Sequence, residues 1–129
     1  MTNQRSPRPS EVLAEVEIGL LQRALLEWGG PARCGDEMAV ALGFSGFTDL
    51  LGRSDELRAL MAEDAPIPGA DWARILLASE IVFISDLSGS GVDWSVTTGL
   101  TDEATVVMFR SVQRKLAPVV RAYYGRRPQ

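Results

Sequence analysis

Apolar residues recur at intervals of three and four along most of this chain, the spacing that places them on one face of a helix. The pattern predicts helices over 11–28, 35–42 or 36–42, 47–51, 55–63, 72–87, 94–98 and 102–117, with a helical continuation over 119–124. The β-branched stretch 81–84 lies inside a pattern that is too long for a single strand. We therefore predict an all-α fold, a compact single-domain bundle of about five to seven helices.

Residues that favour helix ends flank several of these segments. Serine, aspartate and threonine side chains accept hydrogen bonds from the free amides of a first helical turn. The predicted N-caps are Ser10, Asp71, Asp93 and Thr101. Pro118 lacks an amide hydrogen, so we expect the last long helix to kink or break there.

The two ends of the chain differ from its middle in composition. Residues 1–9 are polar, contain two prolines and precede the first helical pattern, so we predict a disordered tail there. Residues 125–129 carry two arginines beyond the last pattern and are predicted to be a basic tail. The remaining segment, 10–124, fits one all-α domain, as expected for a chain of 129 residues.

Glu80 stands out because it falls on an apolar side of the predicted helix 72–87. An isolated buried charge is costly, so such a carboxylate must be paired, hydrogen-bonded or protonated. The favoured interpretation is a structural ion pair with Arg110 or Arg114 of the last helix. The alternatives are an acid in a pocket, with its pKa shifted for general acid or base chemistry, or an exposed Glu80.

The stretch DLSGSGVD, 86–93, begins like a calcium-binding loop. The resemblance fails at its twelfth position, where Thr97 stands in place of a bidentate glutamate. Asp86 is expected in the last turn of its helix, where a negative charge is unfavourable and needs compensation. Asp93 is expected to cap a short helix, and Trp94 to anchor either the core or a partner.

Several kinds of catalytic and metal chemistry are absent from the composition. The chain has no histidine and a single cysteine, Cys34, which removes histidine-based nucleophile systems and the usual zinc sites. We therefore predict no catalytic residue, no cofactor and no metal. An enzyme or ligand pocket around Glu80, Asp86 and Asp93 stays open as an alternative.

Charge is distributed unevenly along the chain. It has 17 acidic and 13 basic residues, for a net charge of −4, and every acidic residue lies between Glu11 and Glu103. The segment 110–129 contains arginines, one lysine and no acidic residue. An acidic body repels phosphates and attracts basic proteins, so the expected partner is another protein, basic in character, and nucleic acid is not expected.

The chain carries no pattern typical of export or membrane insertion. No apolar run approaches the roughly 20 residues that a membrane span needs, and the polar start lacks a signal-peptide core. One cysteine permits no intramolecular disulfide, which fits a reducing compartment. We expect a cytoplasmic protein that does not contact a membrane.

The segment 37–54 has the alanine and glycine spacing of a helix-turn-helix. Its stretch ALGFS resembles the second helix-turn-helix of AraC-type activators, and the resemblance implies a DNA-binding regulator. The would-be recognition helix, however, carries Asp49 and two glycines, and Arg53 as its only base. Phosphate contacts need more lysine and arginine than this, so we favour a pair of short core helices.

Three functional hypotheses follow from the sequence. The first is a non-enzymatic acidic protein-binding module, for example a bacterial immunity protein or antitoxin-like inhibitor of a basic partner. The second is the helix-turn-helix regulator that uses 37–54. The third is the pocket around Glu80, Asp86 and Asp93. The residues expected to bind, whatever the ligand, are Glu80, Asp86, Asp93 and Trp94.

Overall fold

A computed structural model describes residues 6–30, 32, 34–87 and 89–125, with Val92 described by its backbone only. These residues form helices α1 (Pro9–Val12), α2 (Glu15–Glu27), α3 (Asp36–Ala41), α4 (Phe47–Ala62), α5 (Gly69–Ile84), α6 (Trp94–Thr98) and α7 (Asp102–Tyr124), and a 3-10 turn at Gly91–Asp93. None of the described residues belongs to a strand. The predicted all-α bundle is confirmed.

Helix α5 is the central element and contacts α2, α4 and α7. Near the end of α5, Phe83 stacks on Phe109 from the first half of α7, with ring centroids 5.7 Å apart. Earlier in α5, Glu80 accepts hydrogen bonds from Gln113 and Tyr124, which lie later in α7. The two long helices therefore run antiparallel.

Three tryptophans fill the core from helix ends. Trp28 follows α2, Trp72 lies in the first turn of α5 and Trp94 opens α6, and none of the three exposes any surface. Rings of this size bury a large apolar area. Together with the buried aliphatic residues they form one core that extends from Leu13 to Val120.

The first predicted helix is interrupted, because Leu13 adopts an extended conformation between α1 and α2. The third residue of each of these helices is a glutamate that accepts a hydrogen bond from the backbone amide three residues earlier. Glu11 accepts from Arg8, and Glu17 accepts from Ala14, both at 2.7 Å. Two start signals thus follow each other closely, and Leu13 becomes buried between them.

The prediction of a disordered tail is wrong for residues 6–9 and lies outside the described residues for 1–5. Pro7 is buried, and its carbonyl oxygen accepts a hydrogen bond from the indole nitrogen of Trp72 at 3.2 Å. A buried indole N–H needs an acceptor. The polar composition of this segment hid the fact that its prolines complete the core.

Helix α5 begins and ends three residues earlier than predicted. Pro68 occupies the N-cap position, and Asp71 lies inside the first turn instead of capping it. The Asp71 carboxylate accepts hydrogen bonds from Arg53 and Arg74, each at 2.9 Å. The helix ends before Ser85, so Asp86 lies beyond it and not in its last turn.

Helix α7 begins as predicted and then continues past the expected break. The Thr101 hydroxyl accepts a hydrogen bond from the amide of Ala104 at 3.1 Å, which confirms Thr101 as the N-cap. Pro118 is exposed within the helix, while Val119 and Val120 after it are buried. Burial of these valines offsets the backbone hydrogen bond that proline cannot make.

Candidate functional site

Glu80 lies half-buried in α5 and points to α7. One carboxylate oxygen accepts a hydrogen bond from the Gln113 side-chain amide at 2.6 Å. The other accepts from the Tyr124 hydroxyl at 3.0 Å. The pKa of the Tyr124 hydroxyl is raised because the group is shielded from water and because the charge of Glu80 opposes its ionisation.

The predicted ion pair between Glu80 and an arginine of α7 is not formed. In the segment 110–114 of α7, the side chain that reaches the Glu80 carboxylate is that of Gln113. Neither Arg110 nor Arg114 reaches it. Both arginines are exposed, and neither makes an ion pair with a described acidic residue. The position along α7 decides this, because Gln113 lies on the same face as Arg110 but about one turn further along, level with Glu80.

Two adjoining depressions between α5 and α7 share Glu80 and Gln113, and we call them together the α5–α7 groove. The first has a volume of about 230 Å³ and is lined also by Phe83, Ile84, Val106, Phe109 and Arg110. The second has a volume of about 280 Å³ and is lined also by Leu76, Ala117, Val120, Arg121, Tyr124 and Gly125. The groove is therefore mainly apolar, with a carboxylate in the middle and an arginine in each half.

Replacement of Glu80 by glutamine is expected to lower the free energy of unfolding by less than about 1 kcal/mol, because both hydrogen-bond partners are neutral and an amide can serve them. Arg110→Ala is expected to change it by less than about 0.5 kcal/mol. Urea unfolding followed by circular dichroism measures both values. A large loss of unfolding free energy in both variants would contradict this account and support the ion pair that the sequence predicted.

Asp86 and Asp93 do not join Glu80 in the groove. Both are exposed, and neither lines either half of it. Asp93 occupies the N-cap position of α6, as predicted, but its side chain makes no capping hydrogen bond. Asp86 lies against Gly91, where any side chain would collide with the carboxylate.

Metal binding finds no support among the residues that the structure describes. No three acidic, cysteine or histidine side chains of this part of the chain come together as a metal site requires. The three acids of the predicted pocket are therefore separate features, and of the three Glu80 alone lines the groove.

Trp94 is a core residue and not a surface anchor. Its ring meets Phe83 edge-on, with centroids 5.3 Å apart. Its indole nitrogen donates to the Thr105 hydroxyl at 2.8 Å, and that hydroxyl donates to the carbonyl oxygen of Thr101 at 2.7 Å. Of the two roles that the sequence left open for Trp94, the structure assigns the core.

A second groove, which the sequence did not indicate, lies between α2 and α4. It has a volume of about 410 Å³ and is lined by Ser10, Leu13, Glu15, Ile18, Gln22, Met61, Ala62 and Asp64. Two further acids, Glu11 and Glu63, are exposed beside Ser10 and Asp64 in the chain. We call this surface the acidic groove, since Glu15 and Asp64 line it and none of the described residues that line it is basic.

The Asp64 side chain connects the two sides of the acidic groove by hydrogen bonds. Its carboxylate accepts hydrogen bonds from the backbone amide of Ser10 at 2.9 Å and from the Ser10 hydroxyl at 2.6 Å. Ser10 therefore bonds across the groove and is not the N-cap that was predicted. These hydrogen bonds lower the pKa of the Asp64 carboxyl, and the charge of Arg8 lowers it further. The groove is thus negatively charged at neutral pH.

The helix-turn-helix segment folds into α3 and α4, with α4 continuous where two short helices were predicted. Both arginines of α4 form ion pairs with acidic residues. Arg53 pairs with Asp71 and Glu56 at 2.9 Å, and Arg58 pairs with Asp55 at 3.7 Å. Asp55 and Glu56 are exposed on the same helix. The arginines that contacts to phosphate would need are therefore already paired within the protein.

No protein-family model matches the chain, and neither the curated proteins nor the solved structures provide a match. Among the described residues, no helix combines the length and hydrophobicity that crossing a membrane requires. A function for this chain therefore has to follow from its own surfaces and their chemistry.

Proposed function

We propose that this protein is a non-enzymatic binding module that attaches to a basic partner protein through the acidic groove between α2 and α4. The observation that carries the proposal is the combination of an apolar floor with carboxylates around it and no cation among the lining residues that the structure describes. A surface of this kind has both parts of a protein-binding site, buried contact and charge complementarity.

The floor and the rim of the acidic groove favour lysine and arginine side chains. Leu13 and Met61 are almost fully buried at its base, and Ile18 is partly buried beside them. Glu15 and Asp64 stand at its edges. The long alkyl stems of lysine and arginine cover apolar surface while their charged ends reach carboxylates, so a basic segment satisfies both.

One concrete form of such a module is a bacterial immunity protein or an antitoxin-like inhibitor. A small acidic protein of this class covers the basic, functional surface of its target and thereby blocks it. Electrostatic attraction speeds the encounter and makes it sensitive to salt. Small size, net negative charge and a carboxylate-lined groove all support this form.

Reversing two charges of the acidic groove is expected to abolish partner binding. Glu15 and Glu63 are both exposed, and neither makes an ion pair with a described residue, so Glu15→Lys/Glu63→Lys leaves the core intact. The tagged chain is used to capture proteins from its native cells, and mass spectrometry identifies them. We expect a basic protein that the native chain retains and that this variant does not. Salt at about 0.5 M should release it, because the Debye length falls to about half its value at physiological ionic strength.

The matched control is Glu37→Lys/Asp93→Lys, which changes the net charge equally at exposed positions outside the groove. It should retain the partner. Equal loss in both variants would reduce the effect to net charge alone. A captured partner that is acidic, or no specific capture at all, would contradict the proposal.

A further inference from the structure

We infer that the α5–α7 groove is a second docking site, which accepts an amphipathic helix with two acidic residues and one basic residue between them. The groove carries charges in the order positive, negative, positive, from Arg110 through Glu80 to Arg121. The complementary pattern on a partner is negative, positive, negative. This site is distinct from the acidic groove and does not depend on the function proposed for it.

Arg110 and Arg121 are available to a partner. Both are exposed, and no described acidic residue lies within ion-pairing distance of either. They are 11 residues apart on α7, which places them on the same face about 16 Å apart along the axis. A second helix has the same rise, so acidic residues at positions i and i+11 match both arginines.

Glu80 has acceptor positions left for a cation. A carboxylate offers about four acceptor positions, and Gln113 and Tyr124 occupy one each. Both donors are neutral, so the negative charge of this half-buried group has no cationic partner among the described residues. A lysine or arginine of a partner would supply it at little further desolvation cost.

Exposed apolar side chains at the edge of the groove provide the remaining contact. Ile84 is 66% exposed and Val106 is 42% exposed, although both line the groove. Phe83 and Phe109 form the floor between them. An apolar floor between two packed helices is the kind of surface that binds an amphipathic helix.

The position of Glu80 fixes the spacing of the partner residues. Glu80 lies opposite Gln113, three residues after Arg110. Three positions along the partner helix would turn its basic residue about 60° away from the acid that faces Arg110, whereas four positions keep it within about 40° of that acid. The basic residue is therefore placed four positions from the first acid, with the second acid seven positions further on. If the helix runs in the opposite direction, the order of these intervals is reversed.

Two fluorescein-labelled helical peptides of 18 residues probe the site, each with leucines on one face and glutamates at positions 3 and 14. One has lysine at position 7 and the other at position 10, which covers both directions. Fluorescence anisotropy measures binding to the full chain. One peptide is expected to bind the native protein, and Arg110→Glu/Arg121→Glu should weaken it roughly tenfold or more.

Three controls separate the site from general electrostatics. Arg114→Glu, on the same helix but outside the groove, should weaken binding less than about threefold. A peptide with lysines in place of both glutamates should prefer the doubly reversed variant. Glu80→Gln should weaken the lysine peptide but not its methionine analogue.

The inference is overturned if neither peptide binds the native chain, or if Arg114→Glu weakens binding as much as the double reversal. The Glu15→Lys/Glu63→Lys variant keeps this site separate from the proposed function. It should bind the peptides as the native chain does, whether or not the acidic groove has a partner.

Discussion

Trp94→Ala is expected to lower the free energy of unfolding by about 3–5 kcal/mol, the usual cost of removing a large aromatic side chain from a core. The ring is fully buried and loses its contact with Phe83. The Thr105 hydroxyl also loses the indole N–H that donates to it. Chemical denaturation followed by circular dichroism measures the effect, provided that the m-value is the same for the native chain and the variant.

Trp94→Phe is the matched control, because it keeps an aromatic ring and removes the indole N–H. Its cost should be clearly smaller than that of the alanine variant. The sequence also allowed Trp94 to anchor a partner. A loss below about 1 kcal/mol in Trp94→Ala, joined to a loss of partner capture, would contradict the core role and favour that one.

Glu17→Gln is expected to cost about 1.5–3 kcal/mol at neutral pH, the range for hydrogen bonds to a charged group. Glu17 is only 4% exposed. Its carboxylate accepts hydrogen bonds from the Lys115 ammonium group at 2.7 Å, from the Ser111 hydroxyl at 2.5 Å and from the backbone amide of Ala14, the N-cap residue of α2. Glutamine replaces one oxygen by a donor and removes the charge.

The same carboxylate makes stability depend on pH. Burial raises the pKa of Glu17, but the hydrogen bonds from Lys115, Ser111 and Ala14 outweigh it, so the pKa lies below its ordinary value of 4.5. The stabilisation is therefore complete above pH 4.5 and is lost as the pH falls through the lower, folded-state value.

Glu17→Gln should flatten this part of the stability curve, and Glu15→Gln, at the exposed neighbouring acid, should not. Denaturation at a series of pH values from neutral to acid shows the difference. Equal acid sensitivity in the native chain and in Glu17→Gln would assign the effect to other carboxylates.

The helical periodicity predicted the fold class and most helices, because burial of one face repeats every three to four residues. It did not predict the break at Leu13, where two acid-based helix starts compete within a few residues. It also missed the packing of Pro7, since a polar segment gives no periodic signal. Pro118 was expected to kink or break the last helix, which instead continues to Tyr124 with Val119 and Val120 buried.

The candidate surfaces were less predictable than the fold. The unusual position of Glu80 was visible in the sequence, but its partners depended on the rotation of α7, which a wheel of one helix does not give. The acidic groove joins Ser10 to Asp64, which are 54 positions apart. Residues that are so far apart in the chain look unrelated in the sequence until the fold brings them together.

Hydrogen–deuterium exchange of the full chain, alone and with its captured basic partner, tests the central claim most directly. Binding through the acidic groove predicts slower exchange over residues 10–22 and 61–64, the segments that form its walls. Unchanged exchange in these segments, with protection confined to other parts of the chain, would contradict it.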